Sequence, residues 1–202
     1  MKKNTRRTFI KNTTKTVAAG MVFSHLPVFS NTNALGQEKI RLGLVGCGGR
    51  GTGAVFQALT ASKSVQLVAM GDVFKHELDN SLQLISKDFP KQIDVPKERR
   101  FLGLQGYKNV IDLCDAVILA TPPGFWPEHF EYAIKSGKHV FMEKPLATDV
   151  DGIKRILEAG KEAKRKQLNV VVGLQRHYQK NYREVEKLVK NGSLGDIVSG
   201  QV

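Results

Sequence analysis

The sequence predicts an α/β fold, a doubly wound parallel sheet with helices on both faces. Three observations predict it. Short apolar runs rich in β-branched residues alternate with stretches of helical length. The links between them are short, as crossover units of a parallel sheet require. The first strand-like run also leads directly into Gly46-Cys47-Gly48-Gly49-Arg50-Gly51, and Asp72 follows 21 residues after Gly51.

The elements follow in order. Ile40 to Val45 is largely apolar and partly β-branched, as a strand buried on both faces should be. Residues 52–62 suit a helix, 65–70 a second strand and 74–88 a second helix. Pro90, Pro96 and several charges make 89–99 a loop before a weak strand at 100–102. Further strands are expected at 115–120, 139–143 and 169–174, and further helices at 127–136, 150–166 and 180–190. Gly137 should end the helix over 127–136, and Asp149 should cap the helix that follows. Leu194 to Val202 begins like another strand, and a strand alone cannot pair or bury a face. The expected organisation is a leader over 1–36 and an α/β domain over 38–175. Residues 176–202 are then a linking helix and the first strand of a second α/β domain, cut short.

The glycine turn has the chemistry of a dinucleotide site. Gly46 allows the tight turn, Gly48 lets backbone approach a pyrophosphate, and Gly51 lets helix and strand pack closely. Gly49 and Arg50 complete the turn, whose amides and helix dipole attract the phosphates. Asp72 is placed to accept hydrogen bonds from the adenosine ribose. Its carboxylate would repel a 2′-phosphate, which favours NAD over NADP, although Lys75 nearby blurs that preference. Thr121-Pro122-Pro123 fixes an extended turn over the carboxyl end of the sheet, where a nicotinamide ribose can lie. Glu143-Lys144-Pro145 leaves the next strand at the same end, where ligands bind in open α/β sheets. His129 is expected to be structural, or near the cofactor through its helix.

Charge and composition narrow the function class. The formal net charge is +12, but residues 1–36 hold six Lys or Arg and no acid. The remaining 25 basic and 19 acidic residues give +6, spread over several helices. No basic helix or aromatic-studded strand accompanies that excess, so it is not a nucleic-acid footprint. Thr5-Arg6-Arg7-Thr8-Phe9-Ile10-Lys11, a moderately apolar stretch to Phe29 and Ala34-Leu35-Gly36 read as a twin-arginine export leader. A periplasmic or exported location follows as an expectation. The apolar stretch, 13 residues with Ser24 and His25 inside it, is too short and polar for a stable membrane anchor. Cys47 and Cys114 fall at opposite ends of the sheet, about 16 Å apart along a five-residue strand, too far for a disulfide. No metal-ligand spacing occurs.

The glycine turn, Thr121-Pro122-Pro123, Gly137-Lys138-His139-Val140 and Glu143-Lys144-Pro145 occur in the order found in the Gfo/Idh/MocA oxidoreductases, which this chain resembles from Glu38 to Val202. The resemblance implies a Rossmann domain, followed in the family by a second domain with a large open sheet. It implies NAD(P)-dependent hydride transfer to or from a sugar or cyclitol, and usually a homo-oligomer when full length. Several relatives are periplasmic. By this likeness Lys144 is the catalytic lysine, close to both substrate and cofactor, and Glu143 is its orienting partner beside the cofactor. Arg176 and His177, after the sixth strand, are then expected at the substrate. The family's usual acid or base in the second domain has no counterpart here. Two alternatives stay open: an NAD-dependent glycosidase of the same family, and a dinucleotide-binding remnant without catalysis.

Overall fold

The computed structural model describes residues 39–201, and the expected leader lies outside the described residues. Six strands form one sheet: β1 (Ile40–Val45), β2 (Val65–Asp72), β3 (Arg100–Leu102), β4 (Ala116–Leu119), β5 (His139–Met142) and β6 (Val170–Val172). Their order is β3-β2-β1-β4-β5-β6, and every neighbouring pair is parallel. The order reverses between β1 and β4, which opens a crevice at the carboxyl ends of those strands.

The helices are α1 (Gly49–Ala61), α2 (Lys75–Asp88), α3 (Gly106–Leu113), α4 (Trp126–Lys135), α5 (Val150–Arg165), a single turn α6 (Gln175–Tyr178) and α7 (Lys180–Lys190). Alternation along the strands feeds two apolar layers. Leu42 and Leu44 of β1, with Leu67 and Met70 of β2, pack under Val55 and Leu59 of α1 and Leu78 and Ile85 of α2. Val45, Val68, Val117, Leu119, Val140 and Met142 point the other way, against Val110 and Ile111 of α3, Phe130 and Ile134 of α4 and Ile156 of α5. Gly137 ends α4 at φ 72°, and the Asp149 carboxylate accepts from Gly152 N at 2.7 Å to cap α5. Among the described residues no helix is long and apolar enough to cross a membrane.

The structure departs from expectation in several places. β2 runs on to Asp72, and α1 begins at Gly49, so the glycine turn itself forms the first helical turn. β4, β5 and β6 are each shorter than expected by one to three residues, although ladder-like backbone bonds such as Ala120 N to Val45 O and Glu143 N to Leu119 O continue past their ends. α3 has no counterpart among the expected elements. It packs close to the sheet: a Cβ at Gly43 or Gly71 would stand 2.8 or 2.9 Å from a Val110 methyl. Residues 195–201 are not in a strand.

Candidate functional site

The site is built on the β1–α1 turn. Gly46 adopts φ 91°, and a Cβ there would meet Ala120 C and Thr121 N at 2.7 Å. The turn therefore passes hard against the end of β4. A Cβ at Gly51 would stand 1.9 Å from Gly46 O, so the helix sits directly on the strand end. Gly48 and Gly49 face open space, with nothing within 4 Å of an added Cβ. Gly48 caps α1 without any side-chain hydrogen bond, which leaves the first-turn amides for a ligand. Open glycines over an uncapped helix start fit a pyrophosphate.

A cavity of about 420 Å³ runs from this turn past Asp72 to His129. Asp72 Oδ2 accepts from Cys47 N at 2.6 Å and Oδ1 from Phe74 N at 2.9 Å. The carboxylate thus ties β2 to the glycine turn and still borders the cavity with lone pairs to spare. Lys75 turns instead to Asp79 on its own helix. Val73, Phe74, Leu104 and Phe125 make the cavity walls largely apolar, as a base-binding slot needs. His129 lies at 4% exposure, stacked 4.1 Å from the Tyr107 ring, with Nδ1 3.3 Å from Thr121 Oγ1. Burial lowers its pKa to about 4, so the imidazole is neutral. Tyr107 donates to Glu128 at 2.7 Å, and burial pushes its phenol pKa up.

A second cavity, about 590 Å³, shares Ala120 and Thr121 with the first. It is lined by Arg50, Gln57, Trp126, Glu143, Lys144 and Gln175 among others. Lys144 is exposed at its wall. Glu143 is 6% exposed, and its Oε1 accepts from Arg50 Nε at 2.6 Å and pairs with Nη2 at 2.5 Å. Trp126 Nε1 is the one buried side-chain polar atom without a partner among the described residues.

The expected site residues are therefore mostly brought together. Gly46, Gly48, Asp72, Thr121 and Pro122 border the first cavity; Arg50, Thr121, Glu143 and Lys144 border the second. Arg50 gives its guanidinium to Glu143. Arg176 and His177 line neither cavity: both are exposed on α6, with Arg176 5.0 Å over the Tyr182 ring. Gln175, Gln57 and Trp126 were not anticipated. Gln175 follows the carboxyl end of a strand, the same positional signal that marks Lys144.

Residues 40–174 match a family described as oxidoreductases with an NAD-binding Rossmann fold, GFO_IDH_MocA. A glycosyl hydrolase family 109 protein of Shewanella pealeana is 31% identical over 97% of this chain and 45% of its own length. An inositol 2-dehydrogenase of Serratia proteamaculans is 31% identical over 78% of this chain and 43% of its own. The structure of scyllo-inositol dehydrogenase from Lactobacillus casei, with bound NAD(H) and scyllo-inositol, superposes with TM-score 0.63 at 27% identity. It covers 79% of this chain and 43% of that one. The chain thus spans less than half the length of the relatives it matches.

Proposed function

This chain belongs to the Gfo/Idh/MocA family of NAD-binding Rossmann oxidoreductases, and on that premise we propose that it is the cofactor-holding part of an enzyme moving a hydride between NAD and a secondary hydroxyl of a cyclitol or sugar. One observation carries the reading. Lys144 lines a polar cavity that shares Ala120 and Thr121 with the cavity of the glycine turn. A ligand held at the turn and lying along the first cavity therefore passes Ala120 and Thr121, which also line the lysine's cavity.

Bound NAD supplies the hydride acceptor. The chain's own residues do the rest. The first-turn amides of α1 hold the phosphates, and Asp72 takes the ribose hydroxyls. Thr121 and Pro122 border the passage between the cavities. The Lys144 ammonium donates a hydrogen bond to the substrate oxygen and stabilises negative charge there as the hydroxyl proton passes to solvent water, which reaches the exposed lysine. The inositol dehydrogenases among the relatives support a cyclitol; the glycosyl hydrolase, whose match covers 97% of this chain, supports a second reading. In that reading the hydride returns to the sugar after an aglycone is eliminated. The paired arginines before a short apolar stretch support export through the twin-arginine route.

The test begins with NAD titrated into the chain and Trp126, its single tryptophan, followed by fluorescence. Saturable binding is expected, and its absence sinks the reading. Cyclitols and aldoses are then offered to the longest polypeptide containing this chain. Rising absorbance of reduced nicotinamide supports the dehydrogenase. Release of an aglycone without net nicotinamide reduction supports the glycosidase.

A further inference from the structure

We propose that Arg50 is a positioning residue for Lys144, acting through Glu143 and not through the cofactor phosphates. The proposal rests on the role given to Lys144 above. Glu143 is buried, and among the described residues Arg50 is its only ion-pair partner. Two guanidinium nitrogens converge on one carboxylate oxygen, Oε1. The seat is closed from a third side. A Cβ at Gly173, just past β6, would stand 2.6 Å from Oε1 and 2.8 Å from Oε2. The carboxylate therefore fills the space that a side chain at 173 would take. Glu143 N meanwhile donates to Leu119 O at 3.1 Å, which ties the same residue to β4. The β1–α1 turn, the end of β4 and the end of β6 all fix the residue immediately before Lys144. A buried carboxylate that loses its cation must move toward water or take a proton. Either response releases the backbone that aims the lysine. With its charge held by Glu143, the guanidinium leaves phosphate binding to the backbone amides of the turn.

The full chain is tested as Arg50→Gln, Glu143→Gln, the double variant and Arg50→Lys. Lys144 acylation by an amine-reactive probe is followed by peptide mass spectrometry without cofactor, and NAD affinity is followed by Trp126 fluorescence. Expected is a change of about threefold or more in the Lys144 rate for each single variant. The double variant should change it no further, because residues acting as one unit are not additive. Arg50→Lys should restore most of the rate, and NAD Kd should stay within about threefold throughout. Should Glu143→Gln fail to fold, Gly173→Ala, which presses on the same carboxylate, takes its place with the same expectation. An unchanged Lys144 rate in Arg50→Gln, with NAD Kd raised about tenfold or more, would place Arg50 on the phosphates and overturn the proposal. An unchanged rate with unchanged Kd overturns it too. A wild-type chain that binds no NAD defeats the functional reading, while the acylation rates still decide this one.

Discussion

Nothing among the described residues hydrogen-bonds or pairs with the Lys144 ammonium, although Glu143 beside it pairs with Arg50 through Oε1. A free cation at a strand exit is suited to a transient partner. Lys144→Ala should therefore lower hydride transfer about 10²- to 10⁴-fold. NAD Kd, read by fluorescence, should stay within about twofold, since the seat proposed for the phosphates is the glycine turn. Full turnover in that variant would remove the lysine from the reaction. His129 makes a different prediction. Its folded pKa, about 4, lies below the ordinary value of 6.5. The unfolded chain then binds the proton first, so stability falls as pH drops from about 6.5 towards 4. Between about pH 7 and pH 5 the loss should be about 2 kcal/mol by urea unfolding, and His129→Phe should flatten it. Asp72 and the glycines were legible because a motif fixes their spacing and a strand fixes their end of the sheet. The partner of Arg50 was not, since it lies 93 residues away. Only the reversal of strand order, invisible in any local window, brings the two together.

At the β1–α1 junction the glycine requirement can be read directly. Gly51→Ala should destabilise the fold by about 3 kcal/mol and abolish NAD binding together, because the new methyl meets backbone that cannot yield. Thermal unfolding with a parallel NAD titration checks both. The loop before β3 is held by backbone bonds to Leu67 and by one buried side chain. Buried Gln92 donates its amide to Leu59 O, Ser62 O and Val65 O at 3.2, 2.9 and 3.0 Å. Gln92→Ala should cost about 1–3 kcal/mol and make the loop the preferred site of proteolysis. Long periodic elements such as α2 and α5 were legible within a residue or so of their ends. α3 was hidden by its length and its punctuation. It spans eight residues, opens on Gly106 and follows Gly103, so the local pattern reads as a turn. The readable signal was in the sheet: Gly43 and Gly71, side-chain-free positions on adjacent strands, mark where an element comes close.

The whole domain carries a thiol in each of its two apolar layers, Cys47 on one face and Cys114 on the other. Both are free, and burial raises both pKa values, that of Cys114 to about 12. A thiol reagent should therefore react with the native chain no faster than the chain opens. If the domain opens as one unit, both cysteines should be modified at the same rate, and NAD should slow both. Unequal rates, resolved by peptide mass spectrometry, would mean that one layer opens without the other. The two halves of the sheet meet between β1 and β4, and among the described residues two ion pairs bridge them. Arg41 reaches Asp115 at the amino ends of the strands, and Arg50 reaches Glu143 at the carboxyl ends. Each pair takes its cation from the first half and its anion from the second. The halves are thus keyed to each other by charge, much as a plug is keyed to a socket. A chimera that grafts β4 to β6 from a relative onto this chain's first half inherits the anions, or lacks them, according to its parent. Both locks must then be matched by hand before the hybrid can be expected to present its lysine.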